Sequence, residues 1–578
     1  MKIDKHEDHP PAFPETHLMP APKPPIGISD FKKLRETKGL YYVDKSLFIR
    51  DVLEKPAEVI LLPRPRRFGK TLNLSMLRYF LEKTPESHAP LFHGLAIEHY
   101  PELMARQGQY PVVFLTFKDV KESSWDACLQ KLGQLLSALY RQYWEAAHAQ
   151  LAPEEKAVYE RVLHKTSLPG ELETALAALM QLLRRATGQK VFLLIDEYDA
   201  PIHAGFQHGY YDNVILFMRN LLSAALKDNI DLEKGVMTGI LRVAKESIFS
   251  GLNNPGVYSL LNEDFSSYFG FTEPEIEQIV TDFSVEQPQA LRDWYNGYVF
   301  GRQVIYNPWS ILNFLDRSER QFQPFWVNTS ANELVRDLIT LSDSDLQHQV
   351  ETLLAGGTIF APLDDNIVLR DIEQSHNTIW NFLTFSGYLK PVNRLEQELT
   401  PLYELGIPNR EVQYFFHTSI QHWLSRQIGE RRLHPLLQAL LNADVETFED
   451  VLREMVLETL SFHDTAGQEP EKVYHAFVLG MLVNLSETHR VRSNRESGYG
   501  RYDVMLLPKD PHKTGFVLEF KKINRHREET GESAMASALK QIQDKHYATE
   551  LRVAGIQNII GIGVVVEGKK VWVESLDL

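Results

Sequence analysis

The chain has 578 residues, 43% hydrophobic and 24% charged, an ordinary globular composition that excludes a largely disordered chain. Lys and Arg number 61 against 77 Asp and Glu, a net charge of −16; this argues against non-specific coating of nucleic acid but leaves room for a local basic site. The single cysteine, Cys128, excludes a disulfide framework and a cysteine-rich zinc site and fits a reducing compartment.

Residues 1–25, rich in Pro and His, read as a disordered or extended lead-in. The most apolar run, Ile559 to Val566, is far below the ~20 residues of a membrane helix. A soluble cytoplasmic protein without membrane association is expected. Val59 to Leu62 reads as a strand, followed by a loop and then by Leu72, Leu74, Met76, Leu77, Phe80 and Leu81 at helical spacing. Val112 to Phe117 is a second strand, 126–188 a helical stretch, Val191 to Ile195 a third strand and Gly235 to Leu241 a fourth. Strands alternating with helices predict a parallel sheet covered on both faces. From Thr272 the pattern is mostly helical with short strands, opened by the capping box Thr272-Glu273-Pro274-Glu275 and a second at Ser330-Ala331-Asn332-Glu333. From about 470, a helix with Tyr474, Phe477, Val478, Met481, Leu482 and Leu485 on one side precedes strands at Tyr502–Leu507, Gly515–Phe520 and Ile559–Val566, with a helix through Ala534, Ala538, Ile542 and Tyr547 before the last. The expected organisation is a lead-in (1–25), a P-loop α/β domain with a helical lid (26–315), a mostly helical middle region (316–469) and a compact C-terminal α/β unit (470–578).

The stretch Arg64 to Thr71 sits where a phosphate loop belongs, between a buried strand and a helix. Backbone amides of such a loop and the helix N-terminus cradle phosphate oxygens. The cradle would comprise Arg66, Arg67, Phe68, Gly69, Lys70, Thr71 and Leu72, with Lys70 on the β- and γ-phosphates and Thr71 on Mg²⁺. Arg64 replaces the usual first glycine. The strand Val191 to Ile195 delivers Asp196, which would order Mg²⁺, and Glu197, which would polarise the attacking water. Thr238 would sense the γ-phosphate, and Arg242 or Lys245 would neutralise transition-state charge, in cis or from a second copy in a homo-oligomer. A surface role for Arg242 stands beside that reading.

In the C-terminal unit, Glu519 and Lys521 alternate with Phe520 and therefore share a face of their strand. If the strands of Asp503 and Glu519 form a hairpin, the two carboxylates would share one Mg²⁺, with Lys521 over the scissile phosphate. Glu496 would add a third carboxylate, and Gln541 would orient a water or a phosphate oxygen. A solvated surface pair is the bland alternative for Glu-x-Lys, but the apolar run Phe516-Val517-Leu518 feeds Glu519. Residues 490–527 also hold ten Lys or Arg against four Asp or Glu, a phosphate-backbone surface in an acidic chain.

Five runs resemble the bacterial AAA-ATPase-like family: Gly27-Ile28-Ser29-Asp30-Phe31, Tyr42-Val43-Asp44-Lys45-Ser46, Arg64 to Thr71, Leu194 to Asp199 and Ala244 to Asn254. Trp294-Tyr295-Asn296-Gly297-Tyr298 and Tyr306-Asn307-Pro308-Trp309-Ser310 extend the likeness through the lid, over roughly 26–315. In that family the loop Arg-Pro-Arg-Arg-Phe-Gly-Lys is usual, so the resemblance implies ATP binding and, less securely, hydrolysis. Residues 470–570 resemble the PD-(D/E)XK nuclease superfamily through Tyr474 to Phe477, Glu496 to Asp503, Glu519-Phe520-Lys521 and Gln541-Ile542 with Tyr547. This implies a restriction-endonuclease-like domain with metal carboxylates Asp503 and Glu519 and catalytic Lys521, using Mg²⁺ or Mn²⁺.

No histidine spacing supports a zinc site. Trp294, Tyr295 and Tyr298 read as lid packing and Cys128 as a core residue. The leading expectation is an ATP-regulated nuclease acting on nucleic acid, with DNA expected, suited to defence against foreign DNA; an RNA-directed enzyme with the same catalytic core is a further reading, since nothing in the sequence separates DNA from RNA. The alternative is an ATP-dependent switch or scaffold whose nuclease-like domain binds nucleic acid without cutting.

Overall fold

Short runs of Val, Ile, Leu and Phe build the first sheet. The computed structural model describes residues 22–242, 255–327 and, with short interruptions, 335–459 and 481–578. The strands β1 (Val59–Pro63), β2 (Val112–Thr116), β3 (Val191–Asp196), β4 (Leu232–Gly239) and β5 (Gly256–Val257) lie in the order β2-β3-β4-β1-β5. Every neighbouring pair is parallel. Parallel neighbours need crossovers, so helices cover the faces and all residues of β1 and β3 are buried. The helical stretch expected over 126–188 is broken into Trp125–Gln142, Trp144–His148, Pro153–His164 and Pro169–Thr187. Pro153 and Pro169 each open a new helix, the position where a missing amide donor costs nothing. β4 ends two residues before the expected Leu241, because Asp199 takes the amides of Ile240 and Leu241 that a longer strand would use.

The lid carries β6 (Phe271–Thr272), β7 (Tyr298–Phe300) and β8 (Gln303–Tyr306), antiparallel in the order β6-β8-β7. Its first helix, Glu273–Asp282, starts at the expected capping box: the Thr272 amide donates to Glu275 Oε2 at 2.8 Å. Glu275 also accepts from Lys45 Nζ at 2.6 Å, pinning the lid to the N-terminal segment. Residues 330–333, the second box, lie outside the described residues.

The middle region contains the helices Ser344–Leu354, His376–Phe385 and Arg410–Ile428 and a small antiparallel sheet. Its strands β9 (Ile359–Pro362), β10 (Lys390–Leu395) and β11 (Leu402–Gly406) run in the order β10-β11-β9. Trp326, Trp380, Tyr388 and Phe415 pack in the same hydrophobic core as β1 and β3. The middle region is thus docked on the first sheet's domain.

The last sheet runs β12 (His489–Ser497), β13 (Gly500–Pro508), β14 (Gly515–Lys522), β15 (Ile559–Glu567) and β16 (Lys570–Asp577) in sequence order. β14 and β15 are parallel, the other pairs antiparallel. The three expected strands are present; β12 and β16, too polar to stand out by apolar content, flank them as edges. The helices Glu430–Leu441 and Val445–Thr459 pack Leu436, Leu440, Phe448 and Leu452 against Val504, Leu518 and Val564 of this sheet. Glu449 Oε2 accepts from the Val573 amide at 2.8 Å. Helices upstream of 470 thus share a packed core with this sheet; amphipathic spacing says that a helix buries a face but not against which sheet. Of the helix expected before β12, Met481, Leu482 and Leu485 are described and buried in this core; 460–480 lie outside the described residues.

Candidate functional site

The strand order places β4 between β1 and β3, so the C-terminal ends of all three meet at the loop after β1. Gly69 turns that loop into the helix Lys70–Leu81 with φ 88°, a conformation glycine adopts without strain. Lys70 is 4% exposed and its Nζ donates to the carbonyls of Arg64 (3.0 Å) and Pro65 (2.9 Å). Burial pushes the ammonium pKa down, opposed by the carboxylates of Glu197, Asp196 and Asp199 in that order. Asp196 is fully buried and collared by three threonines: Thr71 Oγ1 and Thr116 Oγ1 donate to Oδ2 at 2.8 and 3.3 Å, and Thr238 Oγ1 donates to Oδ1 at 2.7 Å. Thr71, Asp196 and Thr238 thus converge. Thr116 has no place in the sequence reading, although a polar residue ending a buried parallel strand is the signal for it. Glu197 follows with φ 51°, in the left-handed region.

The rest of the loop is spoken for. Phe68 is fully buried, its ring 4.9 Å from Tyr298 and 5.3 Å from Phe300, so its side chain anchors the loop under the lid. Leu72 packs against the hydrophobic core. The exposed Arg67 lies over Trp309 at 4.2 Å, and Arg66 offers its carbonyl to Trp326 Nε1 at 3.0 Å. Arg64, in the place of the missing glycine, is fully buried. Its Nη1 donates to the carbonyls of Pro63 (2.8 Å) and Tyr258 (2.6 Å), over the rings of Phe269 and Phe300. Desolvation pulls its pKa to about 9. Arg242 is bound to Asp365 of the middle region at 3.0 Å. Lys245 lies outside the described residues.

The second constellation forms on the last sheet. The β13–β14 register, Val504 opposite Leu518, sets Asp503 opposite Glu519 when extended by one residue. Asp503 Oδ2 accepts from the Phe520 amide at 2.8 Å. Glu519 is 2% exposed; Lys521 Nζ lies 3.3 Å from its Oε1. Gln541, on the crossover helix Gly531–Asp544, accepts from Lys521 Nζ at 2.6 Å and donates to Glu519. Gln541 Nε2 also reaches Tyr547 Oη at 3.0 Å. Tyr547 titrates higher than usual, through burial and then, against the Gln541 bond, through Glu519 and Asp503. It therefore stands beside Gln541 in the constellation, as the sequence resemblance pairs them. The backbone of Glu496 is in β12, paired with Arg501; its side chain lies outside the described residues. Among the described residues no group of three or more His, Cys, Asp or Glu side chains is arranged to hold a metal ion. Nor is any helix among them long and apolar enough to cross a membrane.

These two constellations define an ATPase-like phosphate-loop domain joined to a nuclease-like domain. Residues 25–249 match the family described as a predicted AAA-ATPase, and residues 469–576 match the PD-(D/E)XK nuclease superfamily. The chain therefore carries an AAA-ATPase-like domain followed by a domain of that nuclease superfamily. A protein of Azotobacter chroococcum mcd 1, described as an uncharacterized protein in the vnfD 5′ region, is 26% identical over 552 residues, 92% of this chain and 94% of its own. Among solved structures, the Walker-type ATPase of Pyrococcus abyssi aligns over 68% of this chain and 98% of its own, at 12% identity and a TM-score of 0.34.

Proposed function

We propose that the chain binds and hydrolyses ATP at the first site and cleaves nucleic-acid phosphodiesters, DNA before RNA, at the second. The observation that carries the nuclease half is the single bonded group of Glu519, Lys521 and Gln541, with Asp503 in register beside it. At the first site the Thr71 hydroxyl and the Asp196 carboxylate, 2.8 Å apart, are the hard oxygen donors that Mg²⁺ takes, so the residues fit that ion. Asp503 and Glu519 would hold Mg²⁺ or Mn²⁺ at the second. Bound Mg²⁺ supplies charge to phosphate oxygens and lowers the pKa of a coordinated water. Lys70 would bind the β- and γ-phosphates, Glu197 would orient the attacking water, and Thr238 would report the terminal phosphate to Asp196. Lys521 would stabilise charge developing on the scissile phosphate, held in place by Gln541. The architecture suits ATP-controlled cleavage of foreign DNA.

The test is cleavage of single- and double-stranded DNA and RNA with Mg²⁺ or Mn²⁺, with and without ATP. Lys521→Ala is expected to lower cleavage by about 10²–10³-fold with ATP hydrolysis intact. Lys70→Ala is expected to abolish ATP hydrolysis. ATP hydrolysis without cleavage under any condition would overturn the nuclease half and leave an ATP-dependent switch that binds nucleic acid without cutting.

A further inference from the structure

The segment that leaves β4 is held by the same turn that presents Asp196 and Glu197. Tyr198 Oη donates to the Leu241 carbonyl at 2.7 Å. Asp199 Oδ2 accepts from the amides of Ile240 and Leu241 at 2.8 and 3.0 Å. Arg242 comes next and points its cation at the middle region. Its backbone pairs with Asn366 in an isolated parallel bridge, and its Nη1 donates to Asp365 Oδ1 at 3.0 Å. Both side chains are 25% exposed, so the pair is partly desolvated and still reachable from solvent. Asp365 sits in a built turn. The Asp364 amide donates to Asn381 Oδ1 at 2.7 Å, and the Asn366 amide donates to Asp364 Oδ1 at 2.9 Å.

This pair under-uses its guanidinium. Arginine has five N–H donors, and Arg242 Nε is buried without a hydrogen-bond partner among the described residues. A terminal phosphate, with three oxygens and a larger charge, is the stronger partner for such a fork. The middle region also touches the loop itself. Trp326 Nε1 donates to the Arg66 carbonyl, and a side chain added at Gly387 would meet Pro65 Cβ at 3.0 Å. The middle region therefore meets both Arg242 and the nucleotide loop.

We infer that Arg242 has two mutually exclusive partners, Asp365 of the middle region and the terminal phosphate of a bound nucleoside triphosphate. A triphosphate, but not a diphosphate, thus unlatches the middle region from the nucleotide domain. The inference rests on the ATP reading proposed above. The latch leads towards the second site. The helix Arg410–Ile428 starts in the middle region, and Glu430–Leu441, following it in the chain, packs on the nuclease-like sheet.

The test uses the full chain and its Asp365→Asn, Arg242→Gln and double variants. Binding of a Mg²⁺-complexed non-hydrolysable ATP analogue and of ADP is measured by calorimetry, with Lys70→Ala as the nucleotide control. Asp365→Asn is expected to tighten the triphosphate analogue about fivefold or more, leave ADP unchanged, and have no effect on the Arg242→Gln background. Amide exchange over residues 360–366 is expected to rise with the triphosphate analogue and not with ADP in the unaltered chain. The inference is overturned if Asp365→Asn leaves triphosphate affinity unchanged, tightens both nucleotides equally, or acts without Arg242. Lys70-dependent binding with any of those outcomes sinks the latch alone. If neither the unaltered chain nor Asp365→Asn binds nucleotide, the ATP reading falls and takes the latch with it.

Discussion

The lysines at the centres of the two sites are held in opposite ways. Lys70 is almost fully buried, and its hydrogen-bond partners are two neutral carbonyls. Lys521 has a side chain 27% exposed and already faces a carboxylate, with Gln541 as its hydrogen-bond partner. A desolvated cation without a bonded counter-charge gains much from an arriving anion. A cation already balanced by Glu519 gains less, because it must loosen one partner to take another. On the readings proposed above, the first lysine would take up a phosphate without giving up a charged partner, whereas the second would have to loosen Glu519 to meet one.

The surroundings of the two sites differ as well, and the largest predicted effect tests that. The first site stands on a core shared with the middle region, and the second on a core that borrows helices from 430–459. A fragment 430–578 is expected to fold, and a fragment 470–578, stripped of Leu436, Leu440, Phe448 and Leu452, is expected not to. Circular dichroism and urea unfolding decide this; equal folding of both would show that the upstream helices are dispensable.

Exchanging each lysine for methionine breaks the comparison directly. Lys521→Met leaves the buried Glu519 carboxylate without its cation and is expected to cost about 1–3 kcal/mol in urea unfolding. Lys70→Met removes a buried ammonium that no carboxylate bonds and is expected to be neutral or stabilising by roughly 1 kcal/mol, while nucleotide binding is lost. Equal destabilisation by both would show that the two lysines are held alike.

A third contrast concerns pH. Glu411 is fully buried and accepts from Ser310 Oγ at 2.7 Å and from the Trp326 amide at 2.5 Å. Burial pushes its pKa up to about 7, against the pull of those bonds. A carboxyl whose folded pKa is raised holds its proton better folded than unfolded. Its stabilising contribution is therefore full below the unfolded value and lost as pH rises through about 7. Stability followed by tryptophan emission is expected to fall over that window, and Glu411→Gln is expected to flatten the profile.

The smallest effect belongs to Trp326→Phe, which deletes one hydrogen bond to the nucleotide loop and keeps most of the ring. It is expected to cost about 0.5–1.5 kcal/mol and to leave cleavage unchanged in the absence of ATP.

What the sequence made legible was local. Gly69-Lys70-Thr71 and Asp196 lie at junctions of buried strand and loop, and their convergence follows from parallel strands ending on one side. Asp503 opposite Glu519 required only that two adjacent strands form a hairpin. The parts that escaped reading depend on the partner across a gap. Phe68 looks like a loop residue until Tyr298 and Phe300 close over it. Asp365, more than a hundred positions from Arg242, is a partner that the sequence gives no means of finding. Thr116 gains meaning only from the carboxylate that the fold brings beside it.

The parallel pairing of β14 with β15 carries a consequence for biosynthesis. Such a pair cannot be joined by a tight turn, and the crossover that joins it carries Gln541 and precedes Tyr547. A nascent chain that has just emerged through β14 already holds Asp503, Glu519 and Lys521 but lacks both the group that fixes the lysine and the strand that closes the sheet. A prematurely terminated product therefore lacks part of this centre, and on the nuclease reading proposed above a cutting-competent chain would be completed only after the nucleotide domain and the middle region have been made.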